Sequence, residues 1–161
     1  MTWTFFFDFY KTCMQSDMRN PESTPLQWQV NADVEAISWD PHNPHNFAVS
    51  SEDGSVSIFD SRQGSSCQPL VKHQAHSKAT TSISFCPSMK DTLITGSTDA
   101  TAKLWKIDDC IFKEIASENM GVGSIFTLAY SSDSSMLVAA GGANGSVSVW
   151  DTKVCYATTV V

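Results

Sequence analysis

One eight-residue phrase occurs three times along this chain. Asp53-Gly54-Ser55-Val56-Ser57-Ile58-Phe59-Asp60 returns as Asp99-Ala100-Thr101-Ala102-Lys103-Leu104-Trp105-Lys106, and again as Asn144-Gly145-Ser146-Val147-Ser148-Val149-Trp150-Asp151. The copies are separated by 46 and then 45 residues. A second phrase moves in the same steps: Ile37-Ser38-Trp39-Asp40-Pro41, Ile83-Ser84-Phe85-Cys86-Pro87 and Leu128-Ala129-Tyr130-Ser131-Ser132. Two landmarks displaced by equal amounts require a chain assembled from like units. Their period is that of a four-stranded propeller blade.

The local chemistry within each unit is that of strands. Val56 and Ile58 alternate with Ser55 and Ser57, and Val147 and Val149 with their serines, so the serines are expected to face outward. Asp53-Gly54 and Asn144-Gly145 are tight-hairpin dipeptides, because Gly and Asn tolerate positive φ. The expected strands are A around 35–39, 81–85 and 126–130, B at Phe47–Val49, Leu93–Ile94 and Met136–Ala140, and C in the repeated phrase. D is expected at Pro69–Lys72, Ile111–Ile115 and Val154–Val161. Nothing reads as a long helix. The fold class is therefore all-β, with three four-stranded antiparallel blades and an incomplete propeller. Residues 1–16 form an extension of unknown structure. Residues 17–161 form the partial propeller, with blades at about 28–72, 73–116 and 117–161. Closed rings hold about four to eight blades. Three blades therefore imply a piece of a longer propeller, a ring completed by another chain, or a truncated product without function.

Trp105 and Trp150-Asp151 close strand C as they do in WD repeats, with Phe59-Asp60 as a weaker version, and Ala75-His76 stands where that family carries Gly-His. The chain thus resembles the WD-repeat family. The resemblance implies a buried hydrogen-bond chain built from a His, a turn Asp, a strand-B hydroxyl and the Trp. The second blade alone has the set: His76, Thr95 or Ser97, Asp99 and Trp105. The positions equivalent to His76 are Val30 and Gly121. The role implied is structural, since buried polar groups must be paired.

Further stretches resemble the periodic tryptophan protein branch of that family: Asp17-Met18-Arg19-Asn20-Pro21, Ser51-Glu52-Asp53-Gly54, Phe59-Asp60-Ser61-Arg62 and Met120-Gly121-Val122-Gly123. This implies a nuclear, nucleolar protein of ribosome biogenesis and ribosomal RNA transcription with chromatin contacts; the alternative location is the cytoplasm. Phe59-Asp60-Ser61-Arg62 also resembles the Trp-Asp-x-Arg ending of substrate receptors of cullin-RING ubiquitin ligases, in which the Arg contacts the adaptor. That makes Arg62 a candidate contact for a second reading.

Net charge is −7. Such a surface repels phosphate, so no tight direct nucleic-acid binding is expected, whereas basic peptides, histones or ribosome-assembly factors would be attracted. The family's ligand face, with its B–C turns and D–A loops, would present Glu35, Glu52, Thr81 and Thr98, and also Ala143. Glu35 and Glu52 suit Lys or Arg in a partner. Five widely spaced cysteines read as free thiols of a reducing compartment. Met1–Tyr10 lacks the marks of a signal peptide and is too short to span a membrane. His42 with His45 and His73 with His76 lack further metal ligands, and no phosphate loop or nucleophile elbow occurs. The expectation is a protein-binding scaffold with no catalytic residue, metal, cofactor, membrane contact or small-molecule substrate. Thr159-Val160-Val161 has the form of a PDZ ligand, and a frayed strand D explains it equally well.

Overall fold

The computed structural model describes residues 4–9, 11–17, 20, 22–64, 68–134 and 136–157. The chain runs through a series of antiparallel meanders. The first blade is β4 (Val34–Trp39), β5 (Asn46–Ser51), β6 (Ser55–Asp60) and β7 (Val71–Gln74). The second is β8 (Thr80–Phe85), β9 (Thr92–Ser97), β10 (Thr101–Asp108) and β11 (Ile111–Asn119). The third is β12 (Ile125–Tyr130), β13 (Leu137–Gly142) and β14 (Val147–Asp151). Strand order within each sheet follows the sequence. The sheets end at Gln74 and Asn119, two or three residues past the boundaries expected from the repeat.

Ahead of them, β1 (Thr4–Phe9), β2 (Thr12–Asp17) and β3 (Leu26–Gln29) form a three-stranded sheet. The segment read as an extension of unknown structure therefore supplies two strands. Trp28, expected to begin the first blade, lies in β3 of this preceding sheet.

The fourth strand expected at Val154–Val161 gives way to a short helix. Residues Lys153–Ala157 form α1 directly after β14, and residues 158–161, with the C-terminal Thr-Val-Val, lie outside the described residues. The cause is local. Asp151 Oδ1 accepts the Lys153 amide at 3.0 Å, capping a helical turn. Buried Thr152 sends both its amide (2.9 Å) and its hydroxyl (2.8 Å) to the Met136 carbonyl. Asp60 acts like Asp151 in the first blade, accepting the Arg62 amide at 2.9 Å and opening the 3-10 turn Ser61–Gln63.

The inner strands β4, β8 and β12 lie side by side, and the sheets stack face to face around them. The first and second blades each have two buried faces. In the first blade Phe47, Val49 and Phe59 pack with Cys13 and Trp28 of the preceding sheet, while Ala48, Val56 and Ile58 pack on Ile83, Phe85, Leu93 and Trp105 of the second. Ile94, Ala102 and Leu104 then pack on Ile125, Leu128, Val138 and Ala140 of the third. Alternation here chooses between two neighbours, not between core and water. Ser55 and Ser57, expected to face outward, are accordingly buried at 2% and 4% exposure. Burying a pair such as Val56 and Ile58 stabilises by roughly 3–6 kcal/mol. Gly96 marks how closely the second and third sheets approach, since an added Cβ would lie 2.5 Å from Leu128 Cδ2.

The same positions in the third blade are uncovered. Val147 and Val149, which repeat Val56 with Ile58 and Ala102 with Leu104, are 76% and 63% exposed.

Candidate functional site

Two structures in this stack bear on function: a buried hydrogen-bond chain in the second blade, and the rim carrying the B–C turns. In the chain, Trp105 Nε1–H donates to Thr95 Oγ1 at 2.9 Å, and Thr95 Oγ1 lies 2.7 Å from His76 Nε2. On the far side of the ring, His76 Nδ1 stands 3.1 Å from Asp99 Oδ2. The carboxylate fixes the tautomer: Nδ1 carries the proton and donates to Asp99, so Nε2 accepts the Thr95 hydroxyl. Thr101 completes the site, its amide (3.0 Å) and hydroxyl (2.6 Å) both donating to Asp99 Oδ1. Ser97 lies off this path, accepting the Asp99 amide at 3.1 Å and steadying the turn.

The charges follow from the packing. Burial pushes the His76 imidazole below its ordinary value, against the pull of Asp99. Burial alone raises Asp99, but the bonds from Thr101, with His76 beside them, hold it below the usual carboxylate range. These bonds link β9 and β10 to the loop that carries His76.

The other blades fill the same positions differently. The equivalents of His76, Thr95 and Trp105 are Val30, Val49 and Phe59 in the first blade, all within or packed against one apolar cluster. In the third they are Gly121, Ala140 and Trp150.

The rim is built by a bond repeated in every unit. The amides of Glu52, Thr98 and Ala143 donate to the carbonyls of Asp33, Ala79 and Ser124 at 2.9, 3.1 and 2.9 Å, tying each B–C turn to the loop entering its own strand A. Each turn then closes at positive φ, at Gly54 (+84°), Ala100 (+72°) and Gly145 (+69°). Gly54 also approaches the next loop closely; a Cβ there would collide with the His76 carbonyl oxygen.

Glu35, Glu52 and Ala143 are exposed, and Thr98 is half-buried. Thr81 is spent internally: its hydroxyl donates to the Ile125 carbonyl at 2.5 Å, across the joint to the third blade. Glu35 and Thr81 occupy the same irregularity in strand A, where the register slips between Val34 and Ala36 and between Thr80 and Ser82. The third slip, between Ile125 and Thr127, re-aims Phe126, which is 59% exposed. Sequence reasoning passed over Phe126, although a step of 45 residues from Thr81 reaches it.

At the opposite end Arg62 is bound to Asp60, Nε at 2.9 Å from Oδ1 and Nη2 at 2.6 Å from Oδ2. This bond, with the Arg62 amide, holds the Asp60 carboxyl at a pKa of about 2. His42 Nε2–H donates to the Cys86 carbonyl at 3.2 Å, and His73 stacks on Phe112 at 5.0 Å. Among the described residues no three metal-capable side chains gather, and Cys13, Cys86, Cys110 and Cys155 form no disulfide; Cys67 lies outside the described residues.

Repeated antiparallel sheets stacked about their inner strands, joined at a rim of tight turns, define a β-propeller, here an incomplete one. The family model for the WD domain, G-beta repeat, matches residues 25–60, 67–106 and 118–151, and the chain belongs to the WD-repeat family. An uncharacterized WD repeat-containing protein of Schizosaccharomyces pombe is 37% identical over 81% of this chain and 25% of its own length. Denticleless protein homolog B of Xenopus laevis is 34% identical over 73% of the chain and 16% of its length. A periodic tryptophan protein 1 homolog of Drosophila melanogaster is 27% identical over 68% of the chain and 23% of its length. The chain thus spans a quarter or less of the length of these relatives. WD-repeat proteins are generally non-enzymatic scaffolds whose repeats mediate protein–protein contacts.

Proposed function

We propose that this chain serves as an interaction scaffold in the nucleus and nucleolus, within a factor of ribosome biogenesis and ribosomal RNA transcription that contacts chromatin. Its rim, on this reading, receives basic peptides such as histone tails or segments of ribosome-assembly factors. The observation that carries it is the exposure of Glu35 and Glu52 on one rim, with Glu52 held in place by its amide bond to Asp33. The nucleolar part rests on the resemblance to periodic tryptophan proteins, with which the Drosophila relative agrees.

The ubiquitin-ligase reading remains the alternative: Arg62 binds Asp60 through Nε and Nη2, with 62% of its side chain exposed. The test has two arms. Glu35→Lys with Glu52→Lys should weaken binding of a basic histone-tail peptide by roughly tenfold, as two charge-assisted contacts are reversed. The tagged full-length protein should co-purify with pre-ribosomal particles or nucleolar chromatin. Unchanged peptide affinity removes the rim from the proposal. Cytoplasmic residence, or recovery of a ligase adaptor, overturns the rest.

A further inference from the structure

At the end of the stack away from the rim, a cleft of about 310 Å³ opens between the first and second blades. Its floor is apolar, made by Ile58, Val71 and Phe85. Four carboxylates line it, Asp40, Asp91, Asp108 and Asp109, and among the described residues no lysine or arginine does. Lys113 is committed to Asp108 at 2.5 Å, and Lys90 stands 4.0 Å from Asp91. Asp40 accepts the His42 amide at 2.8 Å, and the described residues place no ion pair on Asp40 or Asp109. Leu70 in the cleft wall is 39% exposed, and Ile111, next in the chain to the lining residue Cys110, is 59% exposed.

We propose that this cleft is a second docking surface, and that its occupant is a partner-protein segment carrying one apolar side chain flanked by lysines or arginines. The apolar side chain fills the cleft, where removal from water supplies the affinity. The flanking cations meet the carboxylates. A phosphate-bearing ligand is repelled by the same groups. The exposed Leu70 and Ile111 extend the contact beyond what a small molecule would cover. The site is independent of Glu35 and Glu52, which lie at the opposite end of the strands.

The test uses the full-length protein and Cys110, an exposed thiol lining the cleft. The probe is a synthetic amidated peptide with leucine between two pairs of lysines. It should slow iodoacetamide labelling of Cys110, followed by mass spectrometry, while a control peptide with glycine for leucine should not. Asp91→Asn with Asp109→Asn should weaken that protection roughly three- to tenfold, as two charge pairs are lost. Both positions have positive φ, 56° and 47°, which asparagine tolerates, so unchanged thermal unfolding is expected of this variant. Glu35→Lys with Glu52→Lys should leave the protection intact. Absent protection at millimolar peptide, equal protection by the glycine control or by an acidic peptide, or loss of protection in the Glu35/Glu52 variant would each overturn the proposal.

Discussion

Thr95→Val is the sharpest probe of what holds the second blade. It keeps the shape of the side chain and deletes only the hydroxyl that joins Trp105 to His76. Thr95 is fully buried, so no water replaces the lost oxygen. Trp105 Nε1–H loses its acceptor at 2.9 Å, and His76 Nε2 loses the donor at 2.7 Å. Each buried group left unsatisfied costs about 1–3 kcal/mol, so with two of them the variant should be destabilised by about 2–6 kcal/mol. For a chain of this size that lowers Tm by roughly 4–24 °C. Urea titration read by tryptophan fluorescence should show a lower midpoint with an unchanged slope. The companion variant imports the first blade's solution: His76→Val, Thr95→Val and Trp105→Phe together, after Val30, Val49 and Phe59. It removes both orphans along with the bridge, and should lose less than the sum of its three single changes by about 1 kcal/mol or more. A Thr95→Val protein within about 0.5 kcal/mol of the parent, or strictly additive losses, would show that the chain contributes nothing as a unit.

Three further perturbations test other parts of the structure. Ala100 sits at φ +72°, where the equivalent turns have glycine, so Ala100→Gly should raise stability by about 0.5–1 kcal/mol; Gly54→Ala, whose Cβ would strike the His76 carbonyl, should lower it by about 2 kcal/mol or more in the same thermal assay. His76 has a folded-state pKa below its ordinary 6.5, so its contribution is present above that pH and is lost as pH falls below 6.5 and through the folded value, with Asp99 adding a loss below 3.8. Urea midpoints measured from pH 7.5 down to 4.5 should fall less steeply in His76→Gln than in the parent, and parallel curves would dismiss His76 as the cause. The bare valines of the third blade should make the 161-residue chain self-associate, and Val147→Lys with Val149→Glu should return its light-scattering mass toward the monomer with no fall in Tm.

The repeat arithmetic located the strands because hairpin turns and strand C have strong local chemistry: Gly54 and Gly145 sit at positive φ, and Trp105 and Trp150 recur at one position of strand C, although β10 runs on to Asp108. Burial was less legible. Alternating Val and Ser in 55–58 reads as one wet face and one dry, but a sheet held between two others has no wet face, and only a neighbour outside the local pattern buries Ser57. Strand D of the third blade failed for a related reason: Val154 looks β-prone, but the Asp151 cap and the Thr152 bonds to Met136 turn the chain into a helix. Of the rim residues, Glu35 at the start of β4 and Glu52 in the B–C turn were legible as exposed carboxylates. Thr81 was not, because its hydroxyl is claimed by a carbonyl 44 residues away. The cleft between the blades was invisible, since its floor comes from strands β6, β7 and β8 and its carboxylates from separate strand ends and turns of two units.

The third sheet, covered on one side only, sets an order of opening along the chain. Units that stabilise one another chiefly through their shared boundaries lose structure from whichever end has fewer boundaries. Amide hydrogens of β13 and β14 should therefore exchange well before those of β5 and β9, even though all four strands carry the same kind of ladder. Unfolding would thus run inward from the terminal sheets, and any protein that clasps Val147 and Val149 would act as a brake on the C-terminal one.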